Sequence, residues 1–241
     1  MKFPPLPRNT TGPDGRASLD PWRGGLLSAA GHELRNRLTG LTYAAEAARA
    51  ELEGQNPAGA LHFVTLLQTG IERAHQQLSD LMTAQRAIDS GLPFTANWIS
   101  LKSLADQSTR RIRDPRQRDR MRLACEGDGV VRADADLVSL LAGHLIDNGL
   151  RFADSAEAVE VRWQTTPDAL MVEVADRGWG VPPAELPGLF EPFRHASNAG
   201  SRAGLGLGLF LARAAAEAHG GTLTLEARPG GGTLARARLP R

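Results

Sequence analysis

Apolar residues recur at alternating spacings of four and three along two long stretches of the chain. The first runs through Leu27, Gly31, Leu34, Leu38, Leu41, Ala45, Ala48 and Leu52. The second runs through Ala60, Val64, Leu67, Ile71, Ala74, Leu78, Leu81, Gln85 and Ile88, with Gln85 as its polar member. This repeat is the seam of a coiled coil, so it predicts two helices of about 30 residues, each roughly 45 Å long. Asp20-Pro21 supplies an N-cap followed by proline in the first turn, and the second helix follows a short connection rich in Gly and Pro between Gly54 and Gly59. An antiparallel hairpin results. One hairpin cannot bury both stripes, and pairing of two copies into a four-helix bundle is expected, making the chain a homodimer.

Gly91 and Pro93 end the second helix and mark a boundary near residue 92. Beyond it, short alternating runs predict strands near 98–101, 120–125, 130–132, 159–164, 170–175, 222–227 and 233–239. Helices are expected from 101 to about 113, over 134–152 and over 204–219. This order suits an α+β domain with helices gathered on one face of a mixed sheet. Residues 1–19, rich in Pro and polar residues, read as disordered and too short for a sensory domain. Three segments follow: 1–19, the hairpin 20–91 and the α+β domain 92–241.

Composition narrows the function classes. The 28 basic and 27 acidic residues leave a net charge of +1, which gives no bulk attraction for nucleic acid or anionic lipid. Arginines are dense between Arg110 and Arg122, but aspartates interrupt them and aromatics are missing, so a charged connection is expected there. No apolar run approaches the roughly 18 residues that span a bilayer, and the N-terminus lacks the apolar centre of a signal peptide. A cytoplasmic protein without a membrane span is expected. Cys125, the single cysteine, excludes an internal disulfide and reads as a small buried residue on a strand.

The chemistry concentrates in four places. In Gly31-His32-Glu33-Leu34-Arg35-Asn36, His32 falls one position past the seam, where its ring is expected on the flank of the bundle. Glu33 can fix the ring's tautomer and raise its basicity, leaving the other nitrogen as a nucleophile. Asn36, one turn on, could orient a water for hydrolysis of a group attached to that ring. In the 134–152 helix, His144, Asn148 and Arg151 share a face; Asn148 offers an amide oxygen to Mg²⁺ and Arg151 a guanidinium to phosphate. Asp176-Arg177-Gly178-Trp179-Gly180 follows an apolar strand, so the backbone at Gly178 and Gly180 can approach a flat heterocycle while Asp176 accepts from an exocyclic amine, as adenine offers. Finally Gly204-Leu205-Gly206-Leu207-Gly208 opens a predicted helix, whose first N–H groups suit phosphate. The stretch 193–203 between these segments has the composition of a mobile lid.

Taken in this order, residues 20–240 resemble the sensor histidine kinases of two-component signalling, with a dimerisation and phosphoacceptor hairpin followed by an ATP-binding domain of the Bergerat (GHKL) type. His32-Glu33-Leu34-Arg35 is similar to that family's H box, 144–152 to its N box and Asp176 to Gly180 to its G1 box. Phe190-Glu191-Pro192-Phe193 resembles the F box, and Gly204 to Gly208 the G2 box. The resemblance implies that His32 is the phosphoacceptor, Glu33 its general base and Asn36 the phosphatase position. It likewise implies that Asn148 binds Mg²⁺, that Asp176 contacts adenine, and that Arg202 is a phosphate clamp in the lid. ATP would be the phosphoryl donor and an aspartate on a response regulator receiver domain the acceptor, with input from an upstream sensor protein. Three departures stand out: His144 in place of a first Asn, Arg151 in place of Lys, and Arg37 in place of the Pro that often follows the H box. Two other readings stay open, a degenerate kinase that docks regulators or relays phosphate without ATP turnover, and an ATP-driven clamp of the gyrase type lacking its transducer segment.

Overall fold

The computed structural model describes residues 20–110, 112, 114–127, 129–154, 156–202 and 204–241, and of residues 20–30, 32–37 and 201 the backbone alone. The described chain forms two compact units, one ending at Gln85 and one from Arg86 to Arg241.

The first unit is the hairpin. Helix α1 spans Asp20–Glu53 and α2 spans Pro57–Ser90. Asn56 makes the connection: its Oδ1 accepts from Gly59 N at 3.1 Å, capping α2, while its Nδ2 donates to Glu51 at 2.6 Å. The helices approach closely enough that the Leu41 side chain packs on Gly70. The inward positions of α2 are Ala60, Phe63, Leu67, Gly70, Ala74, Gln77, Leu81 and Ala84. As far as Leu81, only alternate members of the expected seam are therefore covered. Val64, Ile71 and Leu78 keep 38%, 48% and 50% of their surface exposed, as do Leu38 and Leu52 on α1 at 60% each. The reason is geometric: a four-three spacing describes one wide stripe, and each helix turns one half of it to its partner and leaves the other half outside.

The second unit holds a five-stranded sheet in the order β2-β4-β5-β7-β6, made of Met121–Glu126, Val159–Thr165, Ala169–Ala175, Thr233–Pro240 and Thr222–Ala227. Strands β2 and β4 are parallel and the other neighbours antiparallel. A two-stranded ribbon pairs β1 (Asn97–Ser100) with β3 (Val130–Ala133). Helices α3 (Leu101–Thr109), α5 (Ala135–Phe152) and α6 (Gly208–Ala218) cover one face of the sheet, and α4 is a single turn over Pro115–Asp119. Alternation fixes which face: Val159, Val161 and Trp163 are buried while Glu160, Arg162 and Gln164 point to solvent. Along α5 almost every apolar residue is buried, each contributing about 1.5–3 kcal/mol. The open face carries a ladder of alternating charge, Glu126–Arg162–Glu173–Arg236–Glu226, crossing all five strands. Exposed pairs of this kind add little stability singly, but they penalise a slipped register.

Four expectations change. The last helix begins at Gly208, not at residue 204, because Gly206 sits at φ 68°, outside helical space. The helix after β1 starts at Leu101 and ends at Thr109, with Ser100 as its N-cap. Cys125 is exposed, since β2 is an edge strand whose residues after Met121 all face solvent. Partial burial and the Asp106 carboxylate, offset by Lys102, raise its thiol pKa. Part of the arginine-rich connection is structural: Arg120 donates to the carbonyls of Leu150, Asp154 and Glu157, closing the C-terminal end of α5.

Candidate nucleotide site

Packing of α5 against the sheet and α6 leaves a narrow polar edge over its last turns, where only His144, Asp147, Asn148, Arg151 and Phe152 keep solvent access. This edge meets the start of α6. A methyl carbon placed on Gly208 would lie 3.3 Å from His144 Nδ1 and 3.7 Å from Asn148 Nδ2. One placed on Gly204 would lie 2.5 Å from Arg151 Nη1. The His144, Asn148 and Arg151 side chains, whose spacing puts them on one helix face, thus converge on the glycine segment. Arg151 also pairs with Asp147 at 2.5 Å, a half-exposed contact that solvent screens.

That glycine segment bends before α6 begins. Gly206 turns back so tightly that a side chain there would run into the Phe193 backbone, and Phe193 N donates to Gly206 O at 2.9 Å. Leu205 lies part-exposed in the bend. The first turn of α6 has Leu207 at its N-cap position and no side-chain cap, so its leading N–H groups remain available to an anion.

Asp176 stands at the end of β5, only 8% exposed. Its Oδ1 accepts from Gly178 N at 2.8 Å and Thr233 N at 3.3 Å, and no hydrogen bond among the described residues uses Oδ2. Burial raises its pKa, which those two backbone bonds and the Arg228 charge partly offset. The turn after it is fastened to α5: Gly178 bridges Ala153, and any side chain at Gly178 would strike the Phe152 carbonyl. Gly180 O accepts from Asn198 Nδ2 at 3.1 Å.

The stretch expected as a mobile lid is held at several points. Ser197 donates twice to Glu185, at 2.8 and 2.6 Å, and these bonds lower the Glu185 pKa. His195 Nε2 meets Gly204 O at 2.8 Å, and Arg194 pairs with Glu191. Arg202, expected as a phosphate clamp, donates through Nη1 to Arg151 O at 3.1 Å and Ala153 O at 3.3 Å. Its guanidinium carbon lies 4.5 Å from the centre of the Trp179 ring.

Sequence reasoning missed the support behind Asp176. Thr233 gives it an N–H, and Arg228 Nη1 donates to its backbone carbonyl at 3.0 Å. The run Gly230-Gly231-Gly232 ahead of Thr233 was the available signal, because all three residues have positive φ and the hairpin tip they form runs beside Asp176, Gly178 and Gly180. His32, Glu33 and Asn36 lie in α1, but their side chains fall outside the described residues.

A buried, hydrogen-bond-accepting Asp beside a glycine turn, an amide-bearing helix edge and an uncapped helix N-terminus fit a nucleotide. Residues 133–241 match the family described as histidine kinase-, DNA gyrase B- and HSP90-like ATPase. The sensor protein KdpD of Mycobacterium tuberculosis is 29% identical over 224 residues, which cover 90% of this chain and 26% of that protein. The signal transduction histidine-protein kinase AfsQ2 of Streptomyces coelicolor is 32% identical over 220 residues, covering 87% of this chain and 40% of that protein. This chain therefore spans about a quarter to two-fifths of these curated relatives. Among solved structures, the mycobacterial sensor histidine kinase MprB superposes with a TM-score of 0.52 at 26% identity, covering 61% of this chain and 97% of that one. The chain is thus similar to sensor histidine kinases over 87–90% of its length, and residues 133–241 form a histidine kinase-, DNA gyrase B- and HSP90-like ATPase domain.

Proposed function

We propose that this chain phosphorylates itself on His32 at the expense of ATP and then passes the phosphoryl group to an aspartate of a response regulator receiver domain. The observation that carries this reading is the convergence of Asn148, Arg151 and the uncapped start of α6 on one side of the glycine segment, with buried Asp176 on the adjoining turn. Asp176 Oδ2 would accept from the adenine amine, the glycines would let the backbone lie against the base, and Arg151 with the α6 N–H groups would hold phosphate oxygens. Asn148 would supply an amide oxygen to Mg²⁺, a hard ligand for a hard ion, which when bound neutralises phosphate charge. On the hairpin, Glu33 would take the ring proton as the other nitrogen of His32 forms a bond to the γ-phosphorus and the bond to ADP breaks. Positioning and charge neutralisation would supply most of the rate. Asn36 would align water for the reverse, hydrolytic reaction.

Residues 20–91 would serve as the phosphoacceptor hairpin and 92–241 as the ATP-binding domain. The exposed stripe of Leu38, Leu52, Val64, Ile71 and Leu78 supports a homodimer joined through a four-helix bundle. No helix among the described residues is long and apolar enough to cross a membrane. A reaction that draws on ATP and on receiver domains supports a cytoplasmic location, and an upstream sensor protein would be the source of input.

The test is incubation with γ-labelled ATP and Mg²⁺. Label that is stable in alkali and lost in acid should appear on the wild type and be absent from His32→Ala and Asn148→Ala. Label retained by His32→Ala would end this reading.

A further inference from the structure

The stretch from Phe193 to Arg202 leaves the glycine segment and returns to the turn after Asp176, so it straps the two walls of the nucleotide site together. Its far end is secured by one residue. The Arg202 guanidinium carbon lies over the Trp179 ring, 4.5 Å from its centre, and Nη1 donates to the carbonyls of Arg151 and Ala153. Those carbonyls belong to the C-terminal end of α5, where helix carbonyls lack intrahelical partners and a cation is favoured. Trp179 is 54% exposed, so its ring serves as a platform and not as core. Together the aromatic ring and the two carbonyls at Nη1 hold this guanidinium at the α5 end, and moving it away would cost all three contacts.

We propose that Trp179 and Arg202 form a latch that holds the strap against the α5 end and gates nucleotide exchange, with Arg202 acting as a positioning residue and not as a phosphate ligand. The inference rests on the nucleotide-site reading above. A gate makes a kinetic prediction that distinguishes it from a ligand. Opening a gate speeds entry and exit together and leaves the equilibrium nearly unchanged, whereas removing a phosphate contact speeds exit alone.

Two measurements on the full chain test this, using Trp179→Ala, Trp179→Phe, Arg202→Ala and the double alanine variant. In stopped flow with a fluorescent ATP analogue and Mg²⁺, Trp179→Ala and Arg202→Ala should each raise both the association and the dissociation rate by roughly three- to tenfold. The dissociation constant should stay within about twofold of wild type. The double variant should match the single ones, because the two residues act as one device. Trp179→Phe, which keeps an aromatic face, should recover most of the wild-type rates. Faster dissociation with unchanged association in Arg202→Ala would make Arg202 a phosphate ligand and overturn the latch, as would unaltered rates in both single variants. Amide hydrogen exchange across residues 193–202 in nucleotide-free protein is the second readout. It should accelerate equally in both alanine variants, and unchanged exchange would refute the latch even if the wild type bound no nucleotide and the site reading itself failed.

Discussion

Asp176 shows how a single carboxylate is prepared for one task. One oxygen is spent on the backbone N–H groups of Gly178 and Thr233, which fixes the side chain and leaves the other oxygen for a ligand. Asp176→Asn can keep both backbone bonds but would present an N–H₂ donor toward the adenine amine. Nucleotide affinity should fall by about 10- to 100-fold with little change in thermal midpoint, as calorimetry and melting curves would report. Acid should have a related effect. Because burial raises its pKa, Asp176 takes up its proton on acidification before an ordinary aspartate does, so nucleotide affinity should decline at a higher pH than a solvent-exposed carboxylate would dictate. The same shift has the opposite sign for folding: its favourable contribution is full below the unfolded pKa and is lost as pH rises through the folded one. The place of Asp176 at a strand end was legible in the sequence, although by itself the run after it could equally be a tight turn. The contact made by Trp179 was not, because a tryptophan between glycines carries no signal until its stacking partner, 23 positions away in the chain, is placed.

Helix α6 joins the nucleotide site to the segment arriving from α2. Its first turn faces Asn148 and His144, and its last residue precedes His219, the C-cap. His219 Nδ1 meets Ala215 O at 2.8 Å, while Nε2 accepts from Asp134 N at 3.2 Å, so the ring must be neutral with its proton on Nδ1. Phe94 packs edge-on against that ring at 4.8 Å, and Thr95 N donates to Asp134 Oδ2 at 2.7 Å. One histidine therefore ties the incoming segment to the start of α5 and the end of α6. Burial lowers its pKa, with the Ala215 bond and the Asp134 charge opposing. For a base depressed in this way the contribution to stability is present above the ordinary value of 6.5 and is lost as pH falls through the folded value. His219→Gln should cost about 1 kcal/mol at neutral pH and should flatten the loss of stability on acidification, measured as denaturant midpoints across pH. The elements were readable from hydrophobic period, whereas the start of α6 was not: leucines alternating with glycines fit a helix by composition, and only the left-handed turn at Gly206 delays it to Gly208.

Taken whole, the chain pairs a hairpin with an unfinished apolar surface and a sheet domain whose core is complete. The paired seams gave the hairpin correctly, yet assigned Val64, Ile71 and Leu78 to one stripe with Leu67, Ala74 and Leu81, because spacing alone does not reveal how many partners divide a stripe. If a second copy covers the exposed half, Ile71→Glu and Leu78→Glu should each yield monomers by light scattering, while nucleotide affinity of the ATP-binding domain persists. Dimers that survive both changes would place the interface elsewhere. The proposed activity requires phosphate to leave ATP for one imidazole. The most direct measurement is mass-spectrometric mapping of the phosphoryl group after brief incubation with ATP and Mg²⁺ under alkaline handling. All of it is expected on the peptide containing His32, and acid should remove it. Phosphate on any other residue, or none on a protein that demonstrably binds ATP, would contradict the account.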